Sequence, residues 1–219
     1  MHRAVKITKN KKLNKGFSLV ELIVSMAILA IVGAAIIAFF SIAMVQYKNN
    51  TNETNVQTES RMAWKRLESN ILQTTDGIWA PNESEIWLFN TVSGHKIMTR
   101  IYFDKPASDG EGGEAASKAS VMKYEEYNLD NLDETSKVIK SLDGLSKVDN
   151  ETQVFANFVT NFSIKLYDKK GNEVVDGSVP GKVVADISYK ANEKTYESNN
   201  IVAIRNDIVA SNNIDAIYE

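Results

Sequence analysis

The chain has no cysteine among its 219 residues. This absence excludes disulfides, thiolate metal sites and a cysteine nucleophile, so an exported domain must be stabilised by its core alone. Histidine is scarce: the chain has His2 and His95, and His95 follows the turn sequence Ser93-Gly94 without the context of a nucleophile elbow. A phosphate-binding G-x-x-x-x-G-K-[ST] loop is also missing. We therefore expect no catalytic residue, no metal site and no cofactor, and we predict that the chain is not an enzyme.

Charge is distributed unevenly along the chain. Residues 1–15 contain six of the 25 Lys and Arg residues and none of the 28 Asp and Glu residues. The chain after Gly16 therefore has 19 cationic residues against 28 acids, a formal net charge of -9 in place of -3. Because nucleic acid phosphates require a basic surface, no nucleic acid partner is expected.

One long apolar run follows the basic residues. Glu21 is the only Asp, Glu, Lys or Arg residue between Gly16 and Tyr47, and Leu22–Val45 contains no proline. About 20 helical residues cross a hydrocarbon core of about 30 Å, so this run can span a bilayer. Six cations precede the run, whereas a single nearby cation, Lys48, follows it. By the positive-inside rule this predicts a single-pass protein of the cytoplasmic membrane, with the N-terminus inside and the head outside.

Three interpretations of this run compete. A secretory signal cleaved after Ser41-Ile42-Ala43 has the required small residues, but the run is about twice as long as the usual apolar region of such a signal. A plain uncleaved anchor explains the length and the flanking charges but leaves Glu21 unexplained. The third interpretation explains Glu21 as well and depends on the residues around it.

The segment Lys15-Gly16-Phe17-Ser18-Leu19-Val20-Glu21-Leu22 resembles the processing site of type IV prepilins and type II secretion pseudopilins. The resemblance covers the basic leader, Gly16, Phe17, the Glu at the fifth place of the mature chain and the apolar helix behind it. It implies that a membrane-embedded prepilin peptidase cuts after Gly16 and N-methylates Phe17. It also implies that other pilin or pseudopilin subunits and an inner-membrane assembly platform are partners. The final location of the protein is then a filament on the cell surface.

Glu21 has a physical role in this interpretation. An ionised carboxylate in apolar surroundings costs a few kcal/mol on insertion scales, so a partner is expected. The resemblance supplies one, because in this family the freed amine of the first mature residue, here Phe17, pairs with the Glu of a neighbouring subunit. The alternative is that the helix dipole and the lipid headgroups tolerate an acid near the start of the helix.

A second helical pattern follows the apolar run, after an Asn- and Thr-rich stretch. It has apolar or small residues at spacings of three and four, which predicts an amphipathic helix that ends near Asp76-Gly77. These residues are Val56, Ser60, Ala63, Trp64, Leu67 and Ile71.

Beyond Gly77 the apolar period shortens towards two, which predicts a mostly antiparallel sheet. The predicted strands are residues 85–90, 96–104, 121–127, 161–168, 182–190 and 195–204. Hairpin turns are predicted at Ser93-Gly94 and Asn192-Glu193. The stretch from 128 to 150 is charged and has no clear period.

The predicted fold class is α+β and type IV pilin-like: a long N-terminal helix, transmembrane in its first half, packed on an antiparallel β-sheet head. We expect a leader at residues 1–16, a transmembrane and filament-core helix at 17–45, an amphipathic extension at 46–76 and an exported head at 77–219. The order of the head elements is similar to J-type pseudopilins and W-type minor pilins. That similarity implies a minor subunit that primes assembly at the filament tip.

Several alternatives stay open within this class. A main-shaft pilin, a competence pseudopilin and a surface adhesin have the same N-terminal features, and the sequence does not separate a pilus from a secretion or competence system. An acidic loop offers oxygens for calcium, but their order differs from an EF-hand, and a solvated loop is the alternative. Its acids are Asp104, Asp109, Glu111 and Glu114.

Overall fold

The computed structural model describes residues 18–104, 121–132, 138–149, 151–174, 176–192 and 194–218. The chain divides into two compact units, Met1–Asn49 and Asn50–Glu219. In chain order the elements are α1 (Leu19–Gln73), β1 (Gly77–Asn82), β2 (Glu85–Val92), β3 (His95–Asp104), β4 (Val121–Asn128), β5 (Ser146–Lys147), β6 (Gln153–Ala156), β7 (Val159–Tyr167), β8 (Lys182–Ala191), β9 (Lys194–Ala203), β10 (Val209–Ala210) and α2 (Ile214–Tyr218). The predicted fold class is confirmed, since a long, apolar N-terminal helix precedes antiparallel and mixed sheets.

In the first unit, α1 is apolar and exposed. The Glu21 N–H donates to Ser18 Oγ at 3.3 Å and the Leu22 N–H donates to the Ser18 carbonyl at 3.1 Å, so Ser18 caps the helix. None of the described residues of this unit is buried, although the mean hydropathy of its most apolar window is 2.8. Among the described residues, α1 is the one helix long and apolar enough to cross a membrane.

In the second unit, the rest of α1 forms one side of the core. Its buried residues are Val56, Ala63, Leu67 and Ile71, and Trp64 packs partly buried against them. These positions belong to the stripe predicted from the sequence, which is confirmed. The spacing of seven, four and four residues keeps them on one face of the helix, which lies against the sheets.

The helix was predicted to end near Asp76-Gly77, and α1 ends three residues before Asp76, at Gln73. The Thr74 side chain donates back to the Asn70 carbonyl at 2.9 Å, and Asn206 Nδ2 donates to the Thr74 carbonyl at 2.7 Å. The Asp76 N–H already donates to the Phe89 carbonyl of β2 at 3.1 Å. Side chains and the sheet therefore satisfy the backbone groups that a longer helix would have used.

Two sheets form the head. The first has the order β10-β1-β2-β3-β4, with β5 and β6 both paired to the far side of β4, and the second has the order β7-β8-β9. All strand pairs are antiparallel except β1 with β10. The mostly antiparallel head predicted from the sequence is therefore confirmed.

The predicted hairpin from residue 85 to 104 is also confirmed. The strands β2 and β3 pair from Glu85 opposite Tyr102 to Val92 opposite His95. The turn residues Ser93 and Gly94 have φ values of 53° and 86°. Two consecutive residues with positive φ form the type I′ geometry that matches the twist of a hairpin.

The first sheet has buried side chains on both faces. Ile86 and Leu88 of β2 belong to the main core beneath α1, whereas Trp87 and Phe89 belong to a second cluster on the opposite face. Part of the stretch that had no clear period covers this second cluster, together with α2. The covering residues are Leu129, Ile139, Leu132, Leu142, Leu145, Ile214, Ile217 and Tyr218.

A polar network lies on this second face of the first sheet. The buried Glu125 carboxylate accepts hydrogen bonds at 2.7 Å from each of Lys147 Nζ, Thr152 Oγ1 and the Tyr127 hydroxyl. Arg100 Nη1 donates a fourth at 3.2 Å. Burial alone would raise the pKa of Glu125, but the hydrogen bonds from Lys147, Thr152, Tyr127 and Arg100 outweigh it and lower the pKa to about 2.

Candidate functional site

The N-terminal segment holds the residues predicted to carry function. Gly16 and Phe17, the predicted processing residues, lie outside the described residues. The described part of the segment begins at Ser18, and Glu21 lies in the first turn of α1. Of the predicted functional residues, Glu21 is therefore the one whose surroundings the structure describes.

Ser18 and Glu21 form half of a capping box. The sequence S-x-x-E places the serine at the N-cap and the glutamate three residues later. The Ser18 hydroxyl oxygen accepts the Glu21 N–H at 3.3 Å. In a complete box the glutamate side chain would reach back to the serine N–H, but among the described residues the Glu21 carboxylate has no hydrogen-bond donor. The sequence analysis considered Glu21 as a partner for a cation or as an acid tolerated by the helix dipole, and it did not identify the S-x-x-E pattern.

The Glu21 carboxylate stands out from an apolar helix surface. Its neighbours Val20, Leu22 and Val24 are all exposed. The helix dipole favours an acid in the first turn, so Glu21 suits this position without a partner in water. In lipid or against other apolar helices, however, the same carboxylate would need a cation or a hydrogen-bond donor.

The head has no candidate metal-binding cluster in the ranges that the structure describes. No group of three or more His, Asp or Glu side chains lies close enough there to hold a metal ion. His95 opens β3 directly after the hairpin turn, and its Nδ1 contacts Asp130 Oδ2 at 2.6 Å. Asp130 Oδ1 accepts the Lys96 N–H at 2.8 Å, and this backbone hydrogen bond, followed by the His95 contact, lowers the pKa of Asp130. Asp130 therefore joins the start of β3 to the chain that follows β4.

The acidic loop proposed as a calcium alternative is described only at its first residue. Asp104 forms an ion pair with Lys123 of the neighbouring strand β4. Asp109, Glu111 and Glu114 lie outside the described residues. The calcium hypothesis stays a hypothesis from the sequence.

One family comparison matches the N-terminal segment. The family described as the prokaryotic N-terminal methylation motif matches residues 11–37, which include Gly16, Phe17 and Glu21. The match ends within the apolar part of α1 and does not extend into the head. No curated protein matches the sequence. The motif supports membership of the type IV pilin and pseudopilin class and prepilin processing, and it points to a structural subunit.

Proposed function

We propose that the chain is a minor pilin or pseudopilin that is processed by a prepilin peptidase and incorporated in a type IV pilus-like filament, where it primes assembly at the tip. One combination carries this proposal: a methylation motif at residues 11–37 that overlaps the start of α1, and an apolar part of α1 in the first unit that has no buried residue. Such a helix is stable in a bilayer before assembly and against other apolar helices afterwards.

In this proposal Gly16 and Phe17 carry processing and Glu21 carries assembly. The cut after Gly16 removes the six cations of residues 1–15 and leaves a free amine on Phe17. The amine pairs with Glu21 of a neighbouring subunit, and the pair reduces the free energy that each charge would cost alone in apolar surroundings. Pairing then sets the axial register of the entering subunit.

The proposed membrane arrangement follows from charge. We place residues 1–16 in the cytoplasm, 17–45 in the cytoplasmic membrane, and the extension 46–76 and the head 77–219 outside. The cluster of six cations before the apolar run, against Lys48 after it, supports this orientation. We also propose an inner-membrane assembly platform as a partner, as the family resemblance implies. Because this chain has no phosphate-binding loop, the ATPase that drives filament growth must be another partner.

The head is consistent with a J-type or W-type subunit within this class. Pro180 and Gly181 precede β8, and β9 returns antiparallel to it through ten paired positions. The strand β7 precedes this pair and ends at Tyr167, before a turn at Asp168–Asn172. The order of β7, β8 and β9 matches the order of the strands predicted at residues 161–168, 182–190 and 195–204, and it supports the assignment to the filament tip.

Copy number tests the proposed place in the filament. A subunit that primes assembly is needed once for each filament, so the chain should be scarce in sheared, purified filaments. Deletion of the chain should nevertheless reduce the number of filaments strongly. Quantitative mass spectrometry of filaments, with electron microscopy of the deletion strain, measures both. Near-equal amounts of this chain and the main subunit would instead identify a shaft pilin, and its absence from filaments would contradict the proposal.

A further inference from the structure

The strand β9 forms an open edge of the second sheet. It pairs with β8 at ten consecutive positions, from Lys194 opposite Ala191 to Ala203 opposite Lys182. The sheet order β7-β8-β9 leaves the other side of β9 without a strand, and no backbone group of the described residues bonds to it there. Alternate residues of an edge strand direct their N–H and C=O groups outward. The strand β9 therefore offers an unused row of backbone donors and acceptors.

The other sheet edges of the described head are short or already bonded. On the outer side of β7, the Ile164 N–H donates to the Glu83 carbonyl at 2.8 Å, and the Leu166 carbonyl accepts the Val174 N–H at 2.9 Å. The outer strands of the first sheet, β5, β6 and β10, have two, four and two residues. Short length and bonded cover are common protections of a sheet edge, and β9 has neither.

The strand β9 also lacks the protections that a sequence can supply. Its ten residues include no proline, and its pairing with β8 has no bulge. Its one lysine, Lys194, lies at the first position and forms an ion pair with Glu53 at 2.8 Å. The middle and the end of the strand therefore stay accessible to another strand.

The exposed face of β9 carries an acid and an apolar side chain at defined positions. Glu197 is exposed and has no hydrogen-bond or ion-pair partner among the described residues. Ile201 is 60% exposed and lies opposite Val184 of β8. Side chains of a strand alternate between its faces, so Glu197 and Ile201, four residues apart, lie on the same face.

We propose that β9 accepts an extended strand of another protein as the next strand of the second sheet, with a cation of that strand beside Glu197 and an apolar side chain beside Ile201. The partner strand carries these two side chains four residues apart, in either direction of pairing. Backbone hydrogen bonds provide the affinity, and the two side-chain pairs provide the specificity. The inference goes beyond the proposed function, because it concerns a partner of the head and not a place in the filament.

A second copy of β9 is the less favoured occupant. The one cation of this strand is Lys194, and an antiparallel copy that placed Lys194 beside Glu197 would overlap only at residues 194–197. Ile201 would then have no neighbour from the second copy. The partner strand therefore belongs to a different protein.

A cross-link at position 201 identifies the partner. A photoreactive phenylalanine analogue at this position of the full chain, activated in cells that produce the chain, should cross-link to one segment of another protein. That segment should contain Lys or Arg four residues from an apolar residue at the cross-link. The control is the same analogue at position 179, because Val179 is also exposed and lies outside β9. Equal products from both positions, no product, or a product without this residue pair would overturn the inference.

Charge reversal tests the pair at Glu197. The substitution Glu197→Lys should lower the cross-link yield at position 201 by at least about tenfold, because two cations would then face each other. A Glu in place of the partner's cation should restore the yield with the Glu197→Lys chain. The control Glu151→Lys changes an exposed acid outside β9 and should leave the yield unchanged. An unchanged yield with Glu197→Lys, or no restoration, would contradict the proposed pair.

Hydrogen exchange distinguishes strand addition from contact through side chains alone. A synthetic peptide with the cross-linked sequence, added to the full chain in detergent, should slow the exchange of alternate β9 amides by at least about tenfold. A twin peptide with two consecutive prolines at its centre should not, because one of them must remove a hydrogen bond to β9. Equal protection by both peptides, or by neither, would overturn strand addition.

Discussion

The substitution Glu21→Gln is expected to reduce incorporation of the chain into filaments by about tenfold or more, while cleavage after Gly16 continues. Glutamine keeps the size of the side chain and the N–H that bonds to Ser18 Oγ, but it has no charge to pair with the amine of Phe17. Loss of about 1.4 kcal/mol of pairing free energy accounts for a tenfold change, and pairs in apolar surroundings often exceed this value. The ratio of filament-bound to membrane-bound chain measures the effect.

A matched variant on the same helix controls for the loss of a carboxylate. Glu68 lies in the second unit, has no hydrogen-bond partner among the described residues and is far from residue 21 in sequence. The variant Glu68→Gln should incorporate like the original chain. If Glu21→Gln gives wild-type filament numbers and incorporation, the pairing of Glu21 with the Phe17 amine is contradicted. The helix dipole then remains as the explanation for this acid.

The substitution Glu125→Ala should destabilise the head by about 3 kcal/mol. It leaves Lys147, Thr152 and Tyr127 without their common acceptor, whereas Arg100 keeps its hydrogen bonds to Glu85. For a domain of this size the melting temperature should fall by about 6–12 °C. Tryptophan fluorescence of the full chain in detergent reports on the second unit alone, because the three tryptophans all lie in that unit.

The Glu125 carboxylate also makes the free energy of unfolding of the head depend on pH. Its pKa of about 2 in the folded state lies below the ordinary value of 4.5, so its stabilisation is present above pH 4.5 and is lost as the pH falls towards 2. Glu125→Ala should remove this part of the pH dependence. The control Glu197→Ala changes an exposed acid of β9 and should shift the melting temperature by no more than about 1–2 °C. A small effect of Glu125→Ala at neutral pH would contradict a stabilising network.

Local sequence patterns predicted much of this fold correctly. The apolar run, the spacing of Val56, Ala63, Leu67 and Ile71, and the turn Ser93-Gly94 depend on interactions between residues near in sequence. A helix face or a hairpin can be predicted from such patterns because its period and its turn residues are set locally. The methylation motif is similarly local, and its match at residues 11–37 agrees with the resemblance noted from the sequence.

The features that were missed depend on contacts between distant residues. The short strand β10 pairs with β1 across more than 120 residues, with Gly77 opposite Val209. A side chain at Gly77 would lie 2.9 Å from Ile217, a contact that no local pattern indicates. The second cluster on β2 also explains why residues 128–150 had no clear period, because isolated residues such as Leu129 and Ile139 pack there from irregular chain.

The backbone conformation of Phe158 illustrates the same limit. The sequence around Phe158 contains no glycine and no turn pair, so nothing local predicts a positive φ there. The conformation depends on Glu59, which lies 98 residues earlier in the chain. Glu21 was found because its motif is contiguous, whereas Phe158 required the packing of α1 against β6.

The N-terminal sequence and intact mass of the chain, after coexpression with a prepilin peptidase that cleaves a control pilin, test the central claim most directly. The account predicts a mature chain that begins at N-methylated Phe17, without the 16 residues of the leader. A chain that still begins at Met1 would contradict the account and favour a plain membrane anchor. A chain that begins at Met44 would contradict it as well, because cleavage there would release the head as a secreted soluble protein.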